Sequence, residues 1–413
     1  MPSPVKTTDL MNTIESVAGF HVAGVHAGLK KNGKLDFAII ASDVPCVAAG
    51  VFTQNTVKAA PVLLNMERLA ASATDKRAVA INTVSANACT GEQGMQNARR
   101  MSELVAEAID ASAEQIFVMS TGVIGTQLPM QKIEQGVSLA SQALGDDWQS
   151  AAAAIMTTDT RPKQAAITVE TEQGSYTIAG ISKGSGMIAP NMATMLCVVT
   201  TDAELSPALA QSSLGAAADV SFNRIVVDGD TSTNDMVILL ANGQSDITVE
   251  GDAMSQQFQA ALNEVLTSLS KQIVRDGEGV SKFISLHVEG AHSDEDALQI
   301  ARTIATSPLV KTAFYGNDAN WGRIIAAAGR AGVPFDPDKA ALYFAVGEDA
   351  VDGKLCLFAN GQVAAYSEED ATAIITQDDV TVSLDCGNGD GSCHIWTCDL
   401  SHEYVSINGD YRS

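Results

Sequence analysis

With 413 residues the chain is too long for one small core, and two domains, or one large layered domain with an appendage, are expected. Its 49 acidic against 25 basic side chains give a formal net charge of −24, which excludes nucleic acid and anionic membrane as partners because such a surface repels phosphate. A hydrophobic content of 46% with only 5% aromatic residues excludes disorder and describes a globular protein packed with small side chains.

The first segment, MPSPVKTTDLMNTIE, has no apolar signal core, and no run approaches the roughly 20 apolar residues of a membrane helix, so a cytoplasmic protein is expected. Short β-like runs follow: FHVAGVHAGL, LDFAIIASDV, CVAAGVFT and RAVAINTVSANACTG. The spacing of apolar residues predicts a helix over QGMQNARRMSELVAEAID, a strand over QIFVMSTGVIG and a further helix over PMQKIEQGVSLASQAL. QAAITVE, SYTIAGISKG and TMLCVVTTDA read as strands, and the buried strand DMVILLAN is flanked by helices over residues 206–223 and 251–274. KFISLHVEG opens the remainder, helical over residues 293–316 and 319–329 and β-like to its end. Strand and helix alternate, so the fold is α/β, with a boundary near residue 284.

Seven cysteines, an odd number widely spread, do not make a disulfide framework. Cys386, Cys393 and Cys398 lack paired C-x-x-C spacing and have only His394 nearby, so no metal is expected. GSGMIAP carries its lysine before the glycines rather than after them, which excludes a phosphate loop, and the Gly-rich RDGEGVSKF and DCGNGDGSC are turns. Acidic clusters such as SDEDAL and SEEDA are solvated faces.

The stretch SKGSGMIAPNMATMLCVVTTDAEL, Ser182 to Leu205, is either a turn before a core strand or a presentation of Thr194 for chemistry. No histidine lies in it or in STGVIG, which favours a nucleophile with another base. A threonine supplies its own base when it begins a chain, because a free α-amino group has an ordinary pKa of about 7.7–8. That requires scission before Thr194, to which the flexible Gly184, Ser185 and Gly186 and the restricting Pro190 lend themselves.

KGSGMIAPNMATMLCVVTTDA resembles the self-cleavage segment of the glutamate N-acetyltransferase family, also called ornithine acetyltransferase or ArgJ. The resemblance continues in order through AAGVFTQNTVKAAPVLLN, SANACTG, MSTGVIG, AIMTTDTRPKQ, VDGDTSTNDM, RDGEGVSKF, SPLVKTAFYGNDANWGRI and DLSHEYVSINGDYRS, nearly the whole chain. It implies that Thr194 is the nucleophile and Ala193–Thr194 the scissile bond. The Thr121 hydroxyl and the Gly122 N–H then stabilise the oxyanion, and Thr157, Lys183, Thr194, Glu278, Asn408 and Ser413 contact substrate. Some relatives end in threonine where this chain has Ser413; the hydroxyl is kept.

The implied reaction moves an acetyl group from N2-acetyl-L-ornithine to L-glutamate, in arginine biosynthesis, with no cofactor. Some members also take acetyl-CoA as donor, and the motifs leave this open. The implied fold is a layered α/β sandwich with facing β-sheets, similar in arrangement to N-terminal-nucleophile hydrolases: a main region, residues 1–284, and a smaller C-terminal region, residues 285–413. Cleavage would give an α chain, residues 1–193, and a β chain, residues 194–413, assembled as an α2β2 heterotetramer. Two alternatives stand beside this: an N-terminal-nucleophile amidohydrolase or aminopeptidase, in which water resolves the acyl-enzyme, and a non-catalytic amino-acid-binding protein.

Overall fold

The structure, a computed structural model, describes residues 10–189 and 195–410. The first half of the chain runs β1 (Phe20–Val25), β2 (Phe37–Phe52), α1 (Ala60–Ala71), β3 (Lys76–Asn82), α2 (Gly91–Ala108), β4 (Ile116–Ser120), α3 (Met130–Gln142) and α4 (Trp148–Ala154). Then come β5 (Lys163–Thr171), β6 (Gly174–Lys183), β7 (Leu196–Thr201), α5 (Pro207–Val220), β8 (Met236–Ala241) and α6 (Gly251–Arg275). The strands form one sheet in the order β4-β3-β2-β8-β7-β6-β5, with β1 added against β2.

That sheet is folded on itself at β2. The runs LDFAIIASDV and CVAAGVFT, expected as two strands, form this one 16-residue strand, whose register against β3 slips between Ala41 and Cys46. Pro45 has no N–H to donate, so it sits in the bulge, where the strand bends and Asp43 and Pro45 reach solvent. Before the bend β2 pairs with β1 and β3; after it, with β8.

The two halves therefore face one another. Alternate residues of the first half (Ala38, Ile40, Val79, Ile81) meet alternate residues of the second (Ala179, Ile181, Val198, Ile238) in a shared core, plugged by Trp148 and Ala151 of α4. The opposite face of the first half, with Phe37, Ile39 and Ala80, packs on α2 and α3. The opposite face of the second half, with Ile178, Val199 and Leu239, packs on α5 and α6. This is the layered α/β sandwich with facing sheets, helix layers outside, and period-2 alternation assigns each side chain its layer.

The rest of the chain builds a second sheet. It comprises β9 (Phe283–Ala291), α7 (Asp294–Ala305), α8 (Pro308–Tyr315), α9 (Trp321–Gly329), β10 (Ala341–Val346), β11 (Leu355–Ala359), β12 (Gln362–Val363), α10 (Glu368–Ile375), β13 (Asp379–Asp385), β14 (Gly391–Cys398) and α11 (His402–Asp410). The strand order is β12-β11-β10-β13-β9-β14, over its own core of Leu286, Ile300, Phe344 and Val382.

Four expectations differ, the first being that QIFVMSTGVIG is strand only to Ser120. RAVAINTVSANACTG is strand only to Asn82, because Val84, Asn87 and Cys89 adopt φ of 75°, 49° and 55°, which no strand accommodates. The helix expected over residues 293–316 is two helices, since Pro308 begins α8 at its first turn, where its missing N–H is harmless. The β-like C-terminal end also contains α10 and α11. Among the described residues no helix is long and apolar enough to cross a membrane.

Candidate active site

The ends of β6, β7 and β8 come together at one edge of the sandwich, because β6 runs antiparallel to β7 while β7 and β8 are parallel. Lys183, the last residue of β6, is buried there. Burial pushes its ammonium below its ordinary value, against the pull of Asp159, Asp235 and Glu278. Asp159 is fixed by the N–H groups of Thr157 (2.9 Å) and Gly184 (2.7 Å), and its other neighbour is Lys163 at 2.7 Å. Burial alone would raise the Asp159 carboxyl, but the charges of Lys163 and Lys183 hold it well below the usual carboxylate range.

Asp235, just before β8, accepts the Met195 N–H at 3.1 Å on one oxygen. Among the described residues its other oxygen, which is buried, has no hydrogen-bond partner. Burial drives this carboxyl well above its ordinary value, which the Met195 N–H and Lys183 only partly offset.

Across the cleft, the end of β4 passes into Thr121 and Gly122. Asn234 ties the two walls together, its amide donating to the carbonyls of Ala86 (2.6 Å) and Ser120 (2.8 Å). The Thr121 N–H meets the Asn82 carbonyl at 3.0 Å and the Val123 N–H meets the Val84 carbonyl at 2.9 Å. Gly122 between them has φ +130°, and a Cβ there would lie 2.2 Å from the Val84 carbonyl carbon, so only glycine fits.

The third wall comes from the loop after α6 and from α11. The Glu278 carboxylate lies over Gly186, where a Cβ would stand 2.4 Å from Oε2, and accepts the Asn408 amide at 2.7 Å. Asp228 accepts the N–H groups of Met187 (2.6 Å) and Ile188 (2.8 Å) and the Tyr404 hydroxyl (3.1 Å). Burial raises the Asp228 carboxyl despite these donors, and it raises the Tyr404 hydroxyl too, aided by the Asp228 charge. The cleft measures about 190 Å³, the scale of an amino acid, and Thr121, Gly122, Thr157, Lys183, Glu278 and Asn408 all line it.

The ArgJ family model matches residues 21–413. The chain belongs to the ArgJ family. It is 49% identical over 396 residues, 96% of each chain, to the arginine biosynthesis bifunctional protein ArgJ of Chlorobaculum tepidum. To the protein of the same name from Geobacter sulfurreducens it is 48% identical over 401 residues, 96% of this chain and all of that one. It is also similar to the crystal structure of the ArgJ protein of Bacillus halodurans, at 40% identity and a TM-score of 0.48, over 51% of this chain and 97% of that one. The enzyme class expected from the motifs, an acetyltransferase of arginine biosynthesis, stands with that membership.

Of the ArgJ-type residues expected from the sequence, six line one cavity, and three, Ala193, Thr194 and Ser413, lie outside the described residues, as does Pro190. Sequence reasoning missed Asp159, Asp228, Asp235 and Tyr404. All four stand in the quoted stretches AIMTTDTRPKQ, VDGDTSTNDM and DLSHEYVSINGDYRS, so a signal was present; what distinguishes Asp159 and Asp235 is burial, which a motif does not report. Among the described residues no group of three or more His, Cys, Asp and Glu side chains could hold a metal.

Proposed function

We propose that the chain transfers the acetyl group of N2-acetyl-L-ornithine to L-glutamate through an ester on Thr194, after cleaving itself between Ala193 and Thr194. The observation that carries this reading is the convergence of Thr121, Gly122, Thr157, Lys183, Glu278 and Asn408 on one amino-acid-sized cavity. Met195, the residue after the nucleophile, is anchored by Asp235 at the same strand ends.

In maturation the Thr194 hydroxyl attacks the Ala193 carbonyl, the peptide C–N bond breaks, and water hydrolyses the resulting ester, freeing the Thr194 amine. That amine then takes the hydroxyl proton as Thr194 attacks the acetyl carbonyl of the donor. The Thr121 hydroxyl and Gly122 N–H receive the oxyanion; one such donor is worth about 3–4 kcal/mol. Collapse breaks the amide bond, and ornithine leaves with the proton. Glutamate's amine attacks the ester next, giving N-acetylglutamate and restoring the hydroxyl.

Lys183 pairs with the substrate α-carboxylate, and Glu278, oriented by Asn408, pairs with the ornithine side-chain ammonium. Thr157 and Ser413 complete the substrate contacts. Acetyl-CoA is a second donor to the same threonine. Residues 1–284 form the catalytic region and residues 285–413 the C-terminal region, which lends Asn408 to the site. Cytoplasmic location and assembly of the α and β chains as an α2β2 heterotetramer belong to the same reading.

Intact-mass measurement tests it. N-acetylornithine without acceptor should add one acetyl group to the β chain, and glutamate should discharge it faster than water, since a bound amine has the advantage of proximity. Thr194→Ala should stay a single chain. Rapid release of acetate with no glutamate-dependent product would favour the amidohydrolase instead.

A further inference from the structure

A second cavity, about 610 Å³ against the 190 Å³ of the first, adjoins the site. The segments after β3 and β4 form the partition, bridged at Ser85 and Val123. Their residues divide between the two spaces: Ala86, Gly122 and Ile124 line the first cavity, Val84 and Val123 the second. Thr157 lines both.

The second cavity differs in chemistry. Its lining carries Lys30 and Lys34, from the stretch LKKNGKL, which has three lysines and no acid in a chain with a net charge of −24; the acid that also lines it, Asp159, is already paired with Lys163. The next residue, Asp36, does not cancel them freely: it is buried and occupied by the N–H groups of Ala27 (2.6 Å) and Lys30 (2.8 Å) and by His26 at 3.1 Å. Lys30 is half-buried, donates to the Leu35 carbonyl at 2.6 Å, and is close enough to Asp159 and Lys183 to interact with both charges.

The inner wall is apolar, with Val84, Val123 and Met156. Val84 is held at φ 75°, a costly conformation for a β-branched residue, yet its side chain is 40% exposed. Burial does not compensate that strain, and the Val123 N–H on the Val84 carbonyl maintains it.

We propose that this cavity holds the carrier arm of a thioester acyl donor bearing phosphate groups, the chemistry of acetyl-CoA. The phosphates lie at Lys30 and Lys34, the arm runs along Val84, Val123 and Met156, and the acyl end passes Thr157 to reach Thr121 and Gly122. This rests on the acetyl-transfer reading above and adds a place for the second donor. The Thr194 hydroxyl attacks the thioester carbonyl, the C–S bond breaks, the acetyl group remains as the threonine ester, and the released thiolate takes up the proton that the hydroxyl lost. N-acetylornithine, with no carrier arm, uses only the first cavity.

The test compares mature wild-type protein with Lys34→Glu, an exposed loop change, and with Lys30→Met/Lys34→Glu. Calorimetric titration with CoA should show affinity weakened about tenfold by Lys34→Glu and further by the double change. KM for acetyl-CoA should rise in parallel, while the kinetics of Lys34→Glu with N-acetylornithine, and with acetyl-pantetheine, which has no phosphate, stay unchanged. Equal CoA affinity in all three proteins, or none in the wild type, would overturn the assignment. Turnover of acetyl-CoA with unaltered KM in the variants would also overturn it, while leaving the donor reading intact. CoA binding weakened by Lys34→Glu with no acetyl-CoA turnover would keep the cavity and refute acetyl-CoA as donor.

Discussion

Two charge networks meet at the C-terminal end of α6, and they differ in one variable, water. On one side Asp276, just past the helix, joins Asp159 around Lys163, with Lys163 Nζ 2.5 Å from Asp276 and 2.7 Å from Asp159, and all three side chains are 0–2% exposed. On the other, Lys271 and Arg275 reach Glu348, Asp349 and Asp379 of the second-sheet region, with side chains 21–35% exposed. The sequence KQIVRD contains both halves and gives no hint of the difference. In the buried network each charge depends on its partners, because water cannot replace them. In the half-exposed one water shares the work, and each pair contributes little.

The buried network also sets the active site. Asp159, held by Lys163, accepts the Gly184 N–H directly after Lys183 and the Thr157 N–H. Lys163→Met should therefore have the largest effect: two buried carboxylates lose the cation that bonds both, at a cost of about 3–5 kcal/mol. Chemical denaturation should show that loss, and activity should fall with it as Gly184 and Thr157 lose their anchor. A variant as stable as the wild type would refute the contrast between the networks.

Gly186→Ala sharpens the contrast by separating site from stability. The added Cβ would meet Glu278 Oε2 at 2.4 Å, and the Glu278 side chain is the part free to move. Displacing it breaks the Asn408 contact and misplaces the carboxylate, so kcat/KM for N-acetylornithine should drop roughly tenfold, the value of one charge-assisted contact. Stability should change by less than about 1 kcal/mol. Full activity in this variant would remove Glu278 from substrate recognition.

Much of this was legible in the sequence, and the reasons for the rest are physical. Period-2 apolar runs marked most strands of the first sheet, and the motifs named Thr121, Gly122, Thr157, Lys183, Glu278 and Asn408, which line one cavity. The bend of β2 was not legible, because Pro45 reads as a strand end when it in fact sits in a bulge within one strand. Helix α11, which carries Tyr404 and Asn408 to the site, buries none of its residues and so lacks the apolar stripe by which helices are recognised. Asp235 looks like any acid before a strand; only its burial sets it apart.

The smallest effect probes the half-exposed network through pH. Asp349 accepts hydrogen bonds or ion pairs from Lys271 (2.7 Å), His287 (3.0 Å) and Trp396 Nε1 (3.2 Å). Burial pushes its carboxyl up, but these donors outweigh burial and hold it below the usual carboxylate range. A carboxyl lowered by folding stabilises the protein fully above its unfolded pKa, about 3.9, and ceases to do so as pH falls through the lower folded value. Asp349→Asn should thus cost no more than about 1 kcal/mol at pH 7, the scale of a solvent-screened pair. The gap between variant and wild type should stay constant down to about pH 5 and close below pH 4. Urea unfolding at a series of pH values measures it. A gap that persists undiminished at the acid end would mean that Asp349 acts by packing rather than by charge, and a gap as large as that of Lys163→Met would erase the distinction drawn between the two networks.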